Sequence, residues 1–353
     1  MQIITNIIIY YAPKVNTFHS FCFLQLKIAL TPFNKYAYNR VIGAMLPFVM
    51  TQIAQNVQKG IFKMNDTKIA VIGGDMRQSY LTDFLENADF TVSAYGVKGY
   101  EKSTDTLEGA LSGAYAAVLP YPISPDGVYL NSLTDIGRMR LTSLFSELER
   151  LGIRRVIGGG FKPATASLAE LHGLKIYDFG TSESVLIKNA LCTAEGAIEI
   201  AMRELPINLQ GSVCAVIGYG RIGRLLAVRL KALGASVCVF ARRSEAISGA
   251  ESDGLEARGI SELSASLTDT DVIFNTVPSL ILNKEVLLSL RADALIIDLA
   301  SAPGGVDFAE VERLSLKVIW ALSLPGKCSP KSAAEIIGKE IISHLKTERG
   351  NGI

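Results

Sequence analysis

Three glycines, with a strand before them and a helix after, carry the clearest chemistry in this 353-residue chain. Ser212-Val213-Cys214-Ala215-Val216-Ile217-Gly218-Tyr219-Gly220-Arg221-Ile222-Gly223 runs from a short apolar stretch into Gly-x-Gly-x-x-Gly. Gly218 permits a tight turn, Gly220 lets the backbone approach a pyrophosphate, and Gly223 lets the next helix pack closely on its strand. Ile222, Leu225, Leu226, Leu230 and Leu233 then recur at helical period, and Gly234 is placed to end the helix. With its strand and helix in place, the motif reads as a dinucleotide site rather than a packing turn, and Tyr219, Arg221 and Ile222 belong to it.

The kind of dinucleotide is set about 20 residues further on, where an NAD site presents an acid to the ribose 2′-hydroxyl. Here the strand Ser236–Ala241 runs into Arg242, Arg243 and Ser244, with no acid before Glu245. Two guanidiniums and a hydroxyl suit a 2′-phosphate, so the expected cofactor is NADP, with NAD the alternative if the arginines are only a solvated loop.

Other strand-end loops offer polar groups where doubly wound sheets bind ligands. Thr276, Val277 and Pro278, after Asn275, would lie against the nicotinamide ribose. Ala300–Asp307 would bring Ser301 beside the nicotinamide ring, Leu324-Pro325-Gly326-Lys327 would bring Lys327, and Gly73-Gly74-Asp75-Met76-Arg77 would project Arg77. The alternative is that each is only a glycine-rich turn. Asn189 and Thr193 are four residues apart on a long helix and share a face, so both can enter one cleft. Glu195 could serve as a general acid or base, or face water. Between residues 205 and 343 there is no histidine, the usual base for oxidising a hydroxy acid. A substrate that becomes aromatic on losing hydride needs a strong base less.

The elements that must hold these residues alternate from Lys68 onward. Strand-like runs at 68–72, 90–95, 115–119, 154–157 and 175–178 are interleaved with helical runs near 77–86, 134–151 and 164–172. A long helix, Ser182–Glu204, leads into the glycine motif, followed by strands near 236–241, 271–278, 294–299 and 316–320. The expected fold is α/β: two Rossmann-like doubly wound domains with parallel sheets, joined by a long connector helix. Expected bounds are 64–181 for a substrate or lid domain, 182–210 for the connector and 211–328 for the NAD(P)-binding domain. The amphipathic stretch 331–345, within a segment 329–353, is expected to return to the first domain before a frayed tail.

Net charge is +1, which gives no global field for nucleic acid. Residues 1–63 carry six Lys and Arg and no Asp or Glu, leaving the remainder at −5. That segment has no clear periodicity, no apolar run long enough to span a bilayer and no cleavage-site pattern. Met64 precedes the first clean strand, so 1–63 is expected to be a misassigned upstream extension. Five scattered cysteines (Cys22, Cys192, Cys214, Cys238 and Cys328) and three histidines supply no metal-binding spacing. A reducing cytoplasm, and no metal, are expected.

Four further segments carry a family resemblance over about 66–345. Lys68–Asp75 with Arg77, Asn189–Ala197, Ile297–Gly305, and Leu324–Lys327 with Pro330 together resemble the A-subunit family of dipicolinate synthase. The resemblance implies oxidation of dihydro- or hydroxytetrahydro-dipicolinate to pyridine-2,6-dicarboxylate with NAD(P)+ in the mother cell of a sporulating bacterium. It also implies a partner, the flavoprotein-like B subunit of dipicolinate synthase, in an oligomeric enzyme. On this reading Arg77, Ser301 and Lys327 hold the two carboxylates. A different NAD(P)-dependent hydroxy-acid or amino-acid dehydrogenase, or a non-catalytic nucleotide sensor, would share the glycine motif.

Overall fold

The apolar runs Lys68–Ile72 and Val213–Ile217 become central strands of two separate parallel sheets. In the computed structural model, residues 67–350 are described, apart from Asp135 and Gly137, and they belong to one unit, Met64–Ile353. The expectations for residues 1–63 and for the final three residues lie outside the described residues.

The first domain alternates β1 (Lys68–Ile72), α1 (Met76–Glu86), β2 (Thr91–Tyr95), α2 (Leu107–Leu111) and β3 (Ala116–Val118). It continues with α3 (Leu141–Arg150), β4 (Arg155–Gly158), α4 (Pro163–Leu171) and β5 (Lys175–Asp178). Its sheet order is β2-β1-β3-β4-β5, every pair parallel. Helix α3 begins later than the sequence suggests. Main-chain hydrogen bonds from Leu133 to Gly74 and from Leu130 to Met139 hold the preceding segment as a loop over the strand ends.

Helix α5 (Glu183–Glu204) connects the domains. The second domain comprises β6 (Val213–Ile217), α6 (Arg221–Ala232), β7 (Ser236–Ala241), α7 (Ser244–Ser252), β8 (Glu256–Gly259), α8 (Leu263–Ser266) and β9 (Val272–Asn275). Then come α9 (Lys284–Leu288), β10 (Leu295–Asp298), α10 (Phe308–Leu314), β11 (Lys317–Trp320), α11 (Leu324–Cys328) and α12 (Pro330–Gly350). The sheet order β11-β10-β9-β6-β7-β8 reverses direction between β6 and β9, the switch point at which such sheets bind dinucleotides.

Both sheets are buried on both faces, which is why their strands read as continuous apolar runs. Ile69, Val71, Leu81 and Leu85 pack with Ala334, Ile337 and Ile341, so α12 returns across the first domain. Cys214, Val216, Val239 and Phe274 pack with Ala194, Ala197 and Ala201 of α5 under the second sheet. The small residues of α5 let it lie close: a side chain added at Gly196 would press on Cys328 and Leu324 of α11.

Candidate functional site

The glycine loop owes its shape to contacts that only glycine tolerates. Gly218 has φ +94°, and a Cβ there would overlap the Thr276 hydroxyl; a Cβ on Gly223 would overlap the Gly218 carbonyl oxygen. Thr276 Oγ1 donates to the carbonyl of Ile217 (2.8 Å), tying the end of β9 to the end of β6. Gly220 differs from both. It stands before α6 with no side-chain cap, and a Cβ added to it would meet nothing within 4 Å. Open space in front of an uncapped helix N-terminus fits a pyrophosphate.

Beside this loop lies a cleft of about 520 Å³, lined by Gly218, Tyr219, Gly220, Arg242, Arg243, Thr276, Val277 and Pro278. Both arginines are exposed, and no hydrogen bond or ion pair among the described residues engages either guanidinium. Ser244 is also exposed and opens α7. Tyr219 donates to Asp253 (2.5 Å), which also pairs with Arg224 (2.7 Å). Burial, and then Asp253, push the Tyr219 phenol up, so it stays protonated.

A second cleft, about 410 Å³, adjoins it and draws on both domains and the connector. Arg77, Tyr121 and Pro122 come from the first domain, Leu186, Asn189, Ala190 and Thr193 from α5, and Gly220, Arg221, Ile222 and Thr276 from the second domain; Ser323 and Pro325 complete it. Arg77 is 4% exposed, and its guanidinium is largely committed. Nε lies 2.9 and 3.1 Å from the Asp75 oxygens, Nη2 lies 2.7 Å from Oδ2, and Nη2 also donates to the Tyr121 carbonyl. Arg221 pairs in bidentate fashion with Glu183 (2.8 and 2.6 Å). That hydrogen bonding holds the Glu183 carboxyl below its usual range. Burial, then Asp178, raise the Tyr121 phenol, which remains a neutral neighbour of the cleft.

Three residues expected here are placed elsewhere. Ser301 is exposed and does not line the cleft. Its loop is drawn onto the fully buried Asp298, which accepts from Asn275 Nδ2 (2.8 Å), Ala300 N (3.1 Å) and Gly305 N (2.9 Å). Lys327 is exposed because Leu324–Cys328 is a helical turn, not a strand-end loop. Its inner face is Gly326, where a Cβ would strike the Asp75–Arg77 pair. Glu195 is exposed and faces Arg229 (3.9 Å). Two residues beyond Thr193, it falls on the far side of α5. Tyr121, Pro122, Ser323 and Pro325 were missed. The first two follow β3, beside β1 at the first sheet's own order reversal, a position the strand-end rule singles out.

Neither His172 nor His344 lines either cleft: His172 pairs with Glu149 (2.8 Å), and His344 stacks on Tyr177 (3.6 Å between ring centroids). Among the described residues no group of His, Cys, Asp and Glu could hold a metal ion, and no helix is long and apolar enough to cross a membrane.

Residues 68–179 match the N-terminal domain of the dipicolinate synthase A subunit. Residues 192–309 match the NAD binding domain of D-isomer specific 2-hydroxyacid dehydrogenases. The dipicolinate synthase A subunit of Bacillus subtilis (strain 168) is 31% identical over 299 residues, covering 80% of this chain and 98% of that relative. The chain belongs to the A-subunit family of dipicolinate synthase. The crystal structure of that family's Bacillus halodurans member aligns with a TM-score of 0.72 at 28% identity, over 79% of this chain and 98% of the other. The crystal structure of the Bacillus subtilis member aligns with a TM-score of 0.70 at 29% identity, over 81% and 97%. The resemblance noted in the sequence is therefore met. The family's architecture here is that of an NAD(P)-binding oxidoreductase: a glycine-loop domain facing a second α/β domain across a cleft.

Proposed function

We propose that this chain is the pyridine-nucleotide subunit of a dipicolinate-forming enzyme. It oxidises a dihydro- or hydroxytetrahydro-dipicolinate to pyridine-2,6-dicarboxylate in the 410 Å³ cleft. The observation that carries this reading is the cleft itself, where the glycine loop, Arg77, Asn189 and Thr193 meet with no histidine among them. A ring that becomes aromatic suits such a base-poor site.

The cofactor is NADP, held by Gly218, Gly220 and Gly223 at the pyrophosphate, by Arg242, Arg243 and Ser244 at the 2′-phosphate, and by Thr276 and Pro278 at the nicotinamide ribose. When bound, NADP+ accepts a hydride at its nicotinamide ring; a dihydro precursor also gives up one proton, and a hydroxytetrahydro precursor one water besides. Arg77 Nη1, the guanidinium nitrogen not engaged by Asp75 or Tyr121, meets one carboxylate. Arg221, released from Glu183, is the nearest donor for the other or for the pyrophosphate. Tyr121 and Leu186 narrow the cleft against water.

Residues 64–181 form the substrate domain and 211–328 the cofactor domain, with 182–210 between them and 329–353 returning. The enzyme works in the mother-cell cytoplasm of a sporulating bacterium, as an oligomer with the flavoprotein-like B subunit. Incubating the chain with that partner, the lysine-pathway precursor and NADP should yield dipicolinate with matching NADPH absorbance. No dipicolinate, together with turnover of a 2-hydroxy or 2-amino acid, would replace this reading with an ordinary dehydrogenase.

A further inference from the structure

Resting on that reading, we infer that the cleft takes its substrate ring in the hydroxylated, tetrahydro form, recognised by a ring hydroxyl that donates to Asn189 Oδ1. The cleft's polar groups are out of balance. Asn189 is 8% exposed, and its Oδ1 is the one buried side-chain nitrogen or oxygen among the described residues with no hydrogen-bond partner. Such an orphan is costly in a folded protein unless a ligand meets it. One turn along the same face, Thr193 gives its hydroxyl proton to the Asn189 carbonyl (3.1 Å), so it too offers lone pairs. Both residues line the cleft.

Two acceptors side by side ask for a donor on the ligand. A carboxylate has none and would be repelled. A dihydro ring in its imine form, ionised at both carboxyls, has neither O–H nor N–H. A hydroxytetrahydro ring has an O–H. A protonated ring nitrogen would be a second source, but it sits between two carboxylates, whose oxygens would be forced against those of Asn189 and Thr193. A hydroxyl on the ring edge remote from the carboxylates escapes that repulsion. Arg77 Nη1, on the same cleft, supplies the donor a carboxylate needs.

The test uses stable, flat dicarboxylates. Isophthalate and 5-hydroxyisophthalate differ by one O–H remote from both carboxylates. Their affinities are measured by calorimetry on the full chain with NADP present, beside Asn189→Leu, with a thermal melt of each protein. The wild type should favour 5-hydroxyisophthalate about tenfold, and the ratio should fall to about one in the variant. Asn189→Ala gives the same readout if leucine is not accommodated. Equal wild-type affinities, or a preference that survives in both variants, would overturn the inference. So would an Asn189-dependent gain for piperidine-2,6-dicarboxylate over cyclohexane-1,3-dicarboxylate, which assigns the donor to the ring nitrogen. Weaker NADP binding by the variant without any dicarboxylate would assign the oxygen to the nicotinamide carboxamide, and overturns it too. If none of the four dicarboxylates binds the wild type, the dicarboxylate reading itself fails. That outcome is distinct, because failure of the inference alone leaves isophthalate bound.

Discussion

The chain uses a strand, a glycine turn and a helix twice, and the two copies end differently. After β1, Asp75 caps α1: its carboxylate accepts from Arg77 N (3.0 Å) and from the Arg77 guanidinium, while Gln78 Oε1 accepts from Asp75 N (3.2 Å). The turn is filled by its own side chains, and a Cβ on Gly74 would collide with Gln78. After β6, the equivalent position before α6 is Gly220, with no cap and open space around it. A carboxylate supplied by the chain satisfies the first helix end and locks Arg77 at the wall of the cleft. The second helix end keeps its positive dipole and free N–H groups for an anion from outside. One residue, Asp75 or Gly220, separates a structural joint from a phosphate site.

The largest expected effect breaks the joint. Asp75→Ala leaves the Arg77 side chain, 5% exposed, without its carboxylate, and should cost about 3 kcal/mol of stability. Denaturant midpoints would read this, and NADP affinity should change little because the other loop is untouched. Next comes the open loop. Gly220→Ala clashes with nothing in the protein, so the melting temperature should hold while NADP binding weakens about 100-fold, or about 2.8 kcal/mol. A variant that lost both equally would show the loop to be structural.

The smallest effect lies on the first-domain side alone. Backbone N–H groups of Tyr129 and Val128, then the Ser124 hydroxyl, hold the Asp126 carboxyl at about 2, against 3.8 ordinarily. Because the folded value is the lower one, this stabilisation is present above pH 3.8 and is lost as pH falls towards 2. The gap in melting temperature between wild type and Asp126→Asn should therefore close across that window. A gap independent of pH would point to geometry rather than charge.

Much of this was legible in the sequence, for identifiable reasons. Buried parallel strands such as Val213–Ile217 and Leu295–Asp298 print as apolar runs, and Gly218 and Gly223 have no substitutes at their contacts. Asn189 and Thr193 share a helix face by spacing alone, and that same spacing turns Glu195 away. Ser301 and Lys327 were not legible, because short-range folding decides them. Nothing local announces that Asp298 gathers the 300–305 backbone, or that Leu324–Cys328 closes into one helical turn with Gly326 inward. Asp75 was part of the motif, yet its role as the partner of Arg77 needed the rotamer.

The central claim is that the open loop, with Arg242 and Arg243 at its rim, is where NADP binds. Titrating NADP and NAD against the wild-type chain tests it most directly. Each charge-assisted hydrogen bond to the 2′-phosphate is worth about 1.5–3 kcal/mol before solvent losses. Both arginines are exposed, so the net preference for NADP should be about ten- to hundredfold. Ala241→Asp with both arginines made neutral should reverse the order. Equal affinities, or tighter NAD, in the wild type would contradict the account and leave Arg242 and Arg243 as solvated surface.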